Sequence, residues 1–467
     1  MLIASTGAER LSGLVVAALV ARALGPTAFG EYSLVLVIWN IFGVVAYFGQ
    51  GQILSREVIR QPERAGVLLG TSAGMALGAS AIAGVLAILS SVILGHSDIV
   101  VAGVGIAAAA ILWADSQCNV VESLLIALQR VAPIAAINMV ASAARMIVSI
   151  ALLGRGLSVT ALLWVIGVTQ ILTALALWRV ARTTVRDQRL AWDGVIARNS
   201  ARSALFFTGG GLASILFKRF DTLLVEGMLG AAALGIYSAA FRLYLIIQSA
   251  SPPILRLLLP RFAQAHTQSS REVANQVRST SATLSVVFGT LVIGLVSLSP
   301  IVLTAIFGSA YAQSVPAYLL LSMSTMPLVL NGVFTTAANA IHLEARTVQA
   351  GVVNGIAGVA MSYVCISLFG VAGAAAGVIF ASALGLIQAA WILRSANALD
   401  ARGALFVAAA GLTFPSLACV GAWAAYASGA SMAVYIGIGG ACEIALLMAL
   451  RSSARTLAVN VLARLKR

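Results

Sequence analysis

From its first residues to the neighbourhood of Ala449 the chain runs as one apolar stretch after another, each about 20 residues long and divided by short turns. A helix needs about that length to cross the ~30 Å hydrocarbon core of a bilayer. In hydrocarbon, only elements that satisfy every backbone polar group internally are stable. The pattern predicts an all-α polytopic membrane protein of about 14 transmembrane helices, centred near Gly13, Phe42, Ala79, Leu112, Ser142, Gly167, Leu216, Ile246, Ile293, Leu328, Ala357, Ile379, Phe414 and Ala441. A soluble globular fold is excluded, because charged residues make up 9% of the chain against about 25% in soluble domains.

An even number of spans puts both termini on one side, and the side follows from the basic residues. With both ends cytoplasmic, the inner loops collect Arg56, Arg60, Arg64, Arg130, the run from Arg179 to Arg202, Arg261, Arg271, Arg278, Arg346, Arg394, Arg402 and the basic tail from Arg451. That is roughly 21 of the 29 Lys and Arg, whereas the outer loops keep only Arg22 and Arg155. The net charge of +14 is thus a topology signal, and nucleic acid is not an expected partner. The expected location is the cytoplasmic membrane, multi-pass. The first apolar run carries Glu9 and Arg10 and has no basic leader, so it reads as a retained span.

The chain also repeats itself. Leu224 to Ser238, LVEGMLGAAALGIYS, aligns without gaps on Leu19 to Ser33, LVARALGPTAFGEYS, at an offset of 205 residues. The basic linker from about Arg179 falls where that repeat places a boundary. The expected organisation is an N-terminal six-helix lobe, 1–200, a second six-helix lobe, 201–400, and an addition of two helices with a basic tail, 401–467. With six spans each, the two lobes insert in the same orientation, a parallel pseudo-repeat. Pro252, Pro253, Pro327 and Pro415 fall inside spans and predict kinks or breaks.

Charges inside apolar spans are costly and mark function more often than not. Counted from the hairpin loop at Gln129, Asp115 and Arg145 lie about 15 residues away on either side, at one depth for a rise of about 1.5 Å per residue. A structural ion pair is the first reading of these two, with ion coupling beside it. Glu122 and Asn138 match in the same way. Counted from the turn near Gly230, Asp221 and Arg242 are at comparable depth, which leaves Lys218 and Arg219 near mid-membrane and Arg256 nearer the inner interface. A surplus of buried cations calls for a compensating anion, and phosphate suits the planar donors of Arg. The competing reading is that backbone carbonyls or neighbouring acids satisfy each cation.

Cys118, Cys365, Cys419 and Cys442 lie in apolar runs without metal-ligand spacing and read as packing residues. His96, His266 and His342 are far apart in sequence. No metal, no cofactor and no catalytic residue is implied.

Several blocks carry a family resemblance: ARALGPTAFGEYS, FKRFDTLLVEGMLGAAALGIYSAAFRL with LLLPRF after it, FGSAYAQSVPAYLLLS, and LFGVAGAAAGVIFAS. They resemble the polysaccharide-transport family of oligosaccharide flippases (Wzx-like), in the superfamily that also holds multidrug and toxic compound extrusion transporters and lipid II flippases. The resemblance implies a two-lobed bundle around a central cavity that opens alternately to each side. The implied cargo is a polyprenyl-pyrophosphate-linked glycan moved to the outer leaflet, with membrane lipid and polysaccharide polymerase machinery as partners. By that analogy Arg10, Lys218, Arg219 and Arg242 line the cavity and hold pyrophosphate, and Asp115, Glu122 or Asp221 couples transport to a proton.

A drug exporter of the same superfamily is the first alternative, but a pocket for lipophilic cations favours carboxylates and aromatics, and this chain is 7% aromatic with Arg and Lys in the second-half spans. A lipid II flippase handles the same carrier chemistry and stays open as an alternative. An enzyme acting on polyprenyl glycans would display its catalytic groups in a large outer loop. The longest outer loops here, Gly25–Glu31 and Gly95–Asp98, are short, so the chain reads as non-enzymatic.

Overall fold

Every element of the computed structural model is helical over the described residues, whose backbone covers 2–153, 158–185, 189–399, 401–429 and 431–450. Side chains are described over the same ranges apart from 2–11, 153, 401–411, 414 and 432. Arg10, Arg155, Arg186, Arg402 and the basic tail fall outside the described side chains. The chain is an α-helical polytopic membrane protein. On α3, Ala65–Ile93, large apolar side chains at Ile82, Val85, Leu89 and Ile93 are exposed, at the spacing of one helix face. Such a face is stable when the surrounding solvent is hydrocarbon.

Among the described residues, nine helices are long and apolar enough to cross a membrane. Three of the longest are broken by a glycine in a backbone conformation that L side chains resist. Helix α1, Leu2–Tyr47, breaks at Gly25 with φ 78° and ψ 179°. Helix α8, Gly194–Gln248, breaks at Gly230 with φ 82° and ψ 176°. These two glycines occupy equivalent positions of the sequence repeat. Helix α14, Glu344–Ser395, breaks at Gly370 with φ 58°. The Pro252–Pro253 pair opens a new helix, α9, Ser251–Gln268, as a proline at the first helical positions permits.

Two compact units divide the chain: Met1–Glu226 with Ala231–Gly235, and Gly227–Gly230 with Ile236–Arg467. The first is built on α1, α2 (Gln50–Arg60), α3, α4 (Asp98–Ile106), α5 (Trp113–Ala127), α6 (Ala132–Leu153), α7 (Val159–Thr184) and the first arm of α8. Leu54, Leu69, Val121, Leu124 and Leu177 form its apolar core. Gly30 and Gly235 are part of a tight seat: a Cβ at Gly30 would lie 1.8 Å from the Ala231 carbonyl oxygen, and one at Gly235 would lie 1.9 Å from the Pro26 carbonyl oxygen. Those pairs, too, correspond in the repeat.

The segment after α7 returns to α3. Trp192 packs against Gly74, the Asp193 backbone N–H donates to Thr71 Oγ1 at 3.0 Å, and Asp193 pairs with Arg64 at 3.5 Å. Asp193 Oδ1 also accepts from the backbone N–H groups of Val195 and Ile196, capping α8.

In the second unit, α10 (Ser270–Ser297), α12 (Val315–Met323), α13 (Thr325–Ala340), α14, α15 (Ala401–Ala427) and α16 (Met432–Ala449) follow α9, with the short α11 (Ser299–Phe307) between α10 and α12. Tyr237, Tyr244, Tyr311, Tyr318, Phe288 and Phe307 are fully buried there. Tyr244 is hydrogen-bonded to Ser324 Oγ at 2.6 Å, as a buried phenol requires.

Candidate functional site

The polar residues of the first unit converge on one cavity of about 190 Å³. Helix α5 supplies Asp115 and Glu122, seven residues and therefore about two turns apart, on one face. The six residues before α5, Ala107–Leu112, form a π-helical turn, a local widening that re-aims the side chains beyond it and that recurs at functional positions. Helix α6 brings Asn138 and Arg145, α7 brings Thr169 and Gln170, and the end of α1 brings Tyr47.

The hydrogen bonds form two connected sets. Tyr47 donates its hydroxyl to Asp115 Oδ2, and Gln170 Nε2 donates to Asp115 Oδ1 at 2.8 Å. Gln170 Oε1 accepts from Arg145 at 3.0 Å, and Arg145 Nε donates to Thr169 Oγ1 at 3.2 Å. Asn138 Nδ2 donates to Glu122 Oε1 at 2.9 Å. The depth match of Glu122 and Asn138 is thus seen as a direct bond. Asp115 and Arg145, matched in the same way by the sequence, share the cavity and are joined by the amide of Gln170. An amide can do this because it offers a donor and an acceptor at once.

The packing around the cavity is close. A Cβ at Gly51 of α2 would lie 2.7 Å from Asn119 Oδ1 and equally near Ser123 Oγ. Ser12 Oγ donates to the Ser142 carbonyl at 2.9 Å, holding α1 to α6. Cys118, read as a packing residue, lines the cavity beside Gln170. Chemically the site can hold a small cation or pass a proton between acids, amides and hydroxyls. Among the described residues no group of three His, Cys, Asp or Glu is placed to hold a metal ion.

Tyr47, Thr169 and Gln170 escaped the sequence reading, which followed charge. Gln170 carries one usable signal, as the lone amide of the α7 sequence VTALLWVIGVTQILTALALW. Lys218 and Arg219 lie on the first arm of α8, with Lys218 exposed and without a hydrogen-bond or ion partner among the described residues, and Arg219 half-buried. Asp221 on the same arm is buried and accepts from the Thr222 backbone N–H at 2.8 Å. Arg242 is half-buried and belongs to the second unit.

Comparisons with known proteins agree on a family and a fold. A family model described as "Polysaccharide biosynthesis protein" matches residues 1–266. The teichuronic acid biosynthesis protein TuaB of Bacillus subtilis (strain 168) is 32% identical over 106 residues, which are 22% of each chain. The match thus spans about a fifth of that relative's length. Among solved structures, a lipid II flippase MurJ in an inward closed conformation superposes with a TM-score of 0.72 at 12% identity, over 96% of this chain and 98% of the other. An inward-facing multidrug resistance MATE family transporter of the MOP superfamily gives 0.68 at 14% identity, over 83% and 94%. At these identities the structures speak for the fold.

Proposed function

The chain belongs to the polysaccharide biosynthesis protein family and has the fold of MOP-superfamily transporters, and from that premise we propose that it is a flippase, not an enzyme, carrying polyprenyl-pyrophosphate-linked oligosaccharide from the inner to the outer leaflet of the cell membrane. The observation that carries this reading is Lys218, an exposed cation without a partner among the described residues, on an apolar helix of membrane-spanning length. A charge at that depth faces a wet cavity or a ligand in preference to lipid. Lys218, Arg219, Arg242 and Arg10 are the proposed cationic lining, matched to pyrophosphate as point charges and planar forks. The glycan head enters from the cytoplasm, the polyprenyl tail stays in lipid, and alternating access exposes the head outside.

The breaks at Gly25, Gly230 and Gly370 support about 14 spans in two six-helix lobes with two added helices, because each of those three long helices has two arms. Both termini are proposed to be cytoplasmic. In the acidic cavity of the first unit, Asp115 and Glu122 are the proposed proton-coupling groups, with Asp221 as a further candidate, and Arg145 sets the charge balance. Polymerase machinery is the proposed partner downstream.

Depleting this protein alone and analysing extracted polyprenyl-linked glycans by mass spectrometry tests the reading. One completed lipid-linked oligosaccharide accumulates and the surface polymer is lost. Accumulation of lipid II instead would assign the other carrier-linked cargo, and an unchanged pool with new sensitivity to lipophilic cations would assign a drug exporter. Neutralising Lys218, Arg219 and Arg242 singly to Met is expected to lower transport at least tenfold at equal protein level, about 1.4 kcal/mol of lost cargo binding per tenfold. Full transport in all three variants would remove their assigned role.

A further inference from the structure

We propose that His96 and Glu226 form a proton-operated clasp at the end of the first unit that carries the Gly25 break, closed when the imidazole is charged and released when it is neutral. His96 sits in the turn between α3 and α4, and its Nε2 lies 3.4 Å from a carboxylate oxygen of Glu226, four residues before Gly230. The imidazole side chain is 8% exposed and the Glu226 side chain 20% exposed, so neither charge is well solvated. Nδ1 of His96 is buried and has no hydrogen-bond partner among the described residues. A histidine with a purely structural role is usually anchored through both nitrogens. Here the ring is held from one side only, by the group whose attraction depends on its charge.

Three more charged groups, Arg22, Glu31 and Asp98, belong to the same unit. Next in the turn, Ser97 Oγ donates to Glu31 at 2.8 Å and also caps α4. Glu31 is 9% exposed, Asp98 stands in the first turn of α4, and Arg22 lies three residues before Gly25. Between about pH 5 and 8, imidazole is the side chain that ordinarily changes charge. Loss of its proton removes one of the two charges of the pair. It also leaves the partly exposed Glu226 carboxylate facing a neutral ring, which holds it less strongly than the cation does.

The clasp has a lever. Glu226 is on the same arm of α8 as Lys218 and Arg219, about two helical turns along. Holding Glu226 to the α3–α4 turn fixes the arm that carries those cations, and releasing it frees the arm. For the orientation proposed above, this end faces outside, so the clasp reads extracytoplasmic pH. What the clasp regulates rests on the flippase reading, whereas its existence does not.

The test needs no substrate. The full chain in lipid nanodiscs, labelled with carbon-13 at its three histidines, is titrated by NMR, with His96 identified by H96Q. E226Q, which removes the carboxylate 3.4 Å from His96 Nε2, is expected to move the midpoint of the His96 signal. In parallel, nitroxide labels at I99C and L216C report the distance between α4 and the arm. That distance should lengthen from pH 5.5 to pH 8 in the otherwise native chain and stay constant in H96Q. An unchanged His96 midpoint in E226Q, or a distance insensitive to pH before any clasp substitution, would overturn the proposal. An unchanged pool of polyprenyl-linked glycans on depletion, with both readouts as expected, would count against the flippase reading alone.

Discussion

Gln170 holds the two charges of the acidic cavity in register, donating a hydrogen bond to Asp115 and accepting one from Arg145 through opposite ends of one amide. Gln170→Leu keeps the volume and strips both functions, leaving half-buried charges short of a partner. An orphaned polar group costs about 1–3 kcal/mol, so this variant is expected to lower the apparent melting temperature in nanodiscs. Thr169→Val, which removes only the 3.2 Å bond to Arg145 Nε, is expected to cost less than Gln170→Leu. Equal losses would mean that the amide link is not the organising contact. The Glu122–Asn138 bond was legible because both lie on one helical hairpin, where equal distance from the turn means equal depth. Tyr47 and Gln170 were not, because they come from helices distant in the chain, and a neutral polar group in an apolar span leaves a weak trace in sequence. His96 shows the same limit: its partner Glu226 is 130 residues away, and no local spacing connects them.

The repeated elements are tied by glycines whose purpose only the backbone reveals. Alignment at an offset of 205 residues pairs Gly25 with Gly230 and Gly30 with Gly235, and the structure gives the first pair nearly the same φ and ψ. It also puts each member of the second pair against a carbonyl of the other copy, at distances that no Cβ tolerates. Gly30→Val or Gly235→Val must push the two backbones apart, at an expected cost of about 1–3 kcal/mol. The double variant is expected to cost less than the sum, since the first substitution has already opened the seat. Gly78→Ala is the control: nothing lies within 4 Å of its Cβ position, and alanine in mid-helix favours stability by roughly 0.5–1 kcal/mol. Thermal unfolding of the four variants in one lipid settles the order. A fully tolerated Gly30→Val would show that the seat is not tight in the membrane. The sequence announced the repeat but not that its copies touch, since a pattern of small residues is equally suited to any close helix packing in lipid. The return of Trp192 and Asp193 onto α3 was hidden for a related reason: in a linker rich in arginine, charge density dominates the pattern and masks one docked aromatic.

At the scale of the molecule, span lengths follow from bilayer thickness, so the all-helical membrane class could be read from apolar run length alone, and the breaks at Gly25, Gly230 and Gly370 fall between span centres that the run lengths already separated. Orientation is set by a different force, the retention of Lys and Arg on the cytoplasmic side, and it decides which solution each functional end meets. The acidic cavity joins α1, α5, α6 and α7, whereas the His96 clasp stands at the turn between α3 and α4. Single cysteines in a background without native cysteines separate the two orientations. At Asp98 and Ala232, both exposed at the clasp end, a membrane-impermeant maleimide added to intact cells is expected to react. At Glu63 and Gln264, exposed near the basic loops, it is expected to react only after the membrane is permeabilised. The reverse pattern would place the arginine loops outside against the positive-inside rule. It would also make the clasp a sensor of cytoplasmic pH. The labelling result therefore fixes the sign of the coupling as well as the topology: with the expected pattern, an acidic exterior closes the clasp and restrains the cationic arm, so cargo release is expected to quicken as external pH rises from 5.5 to 8.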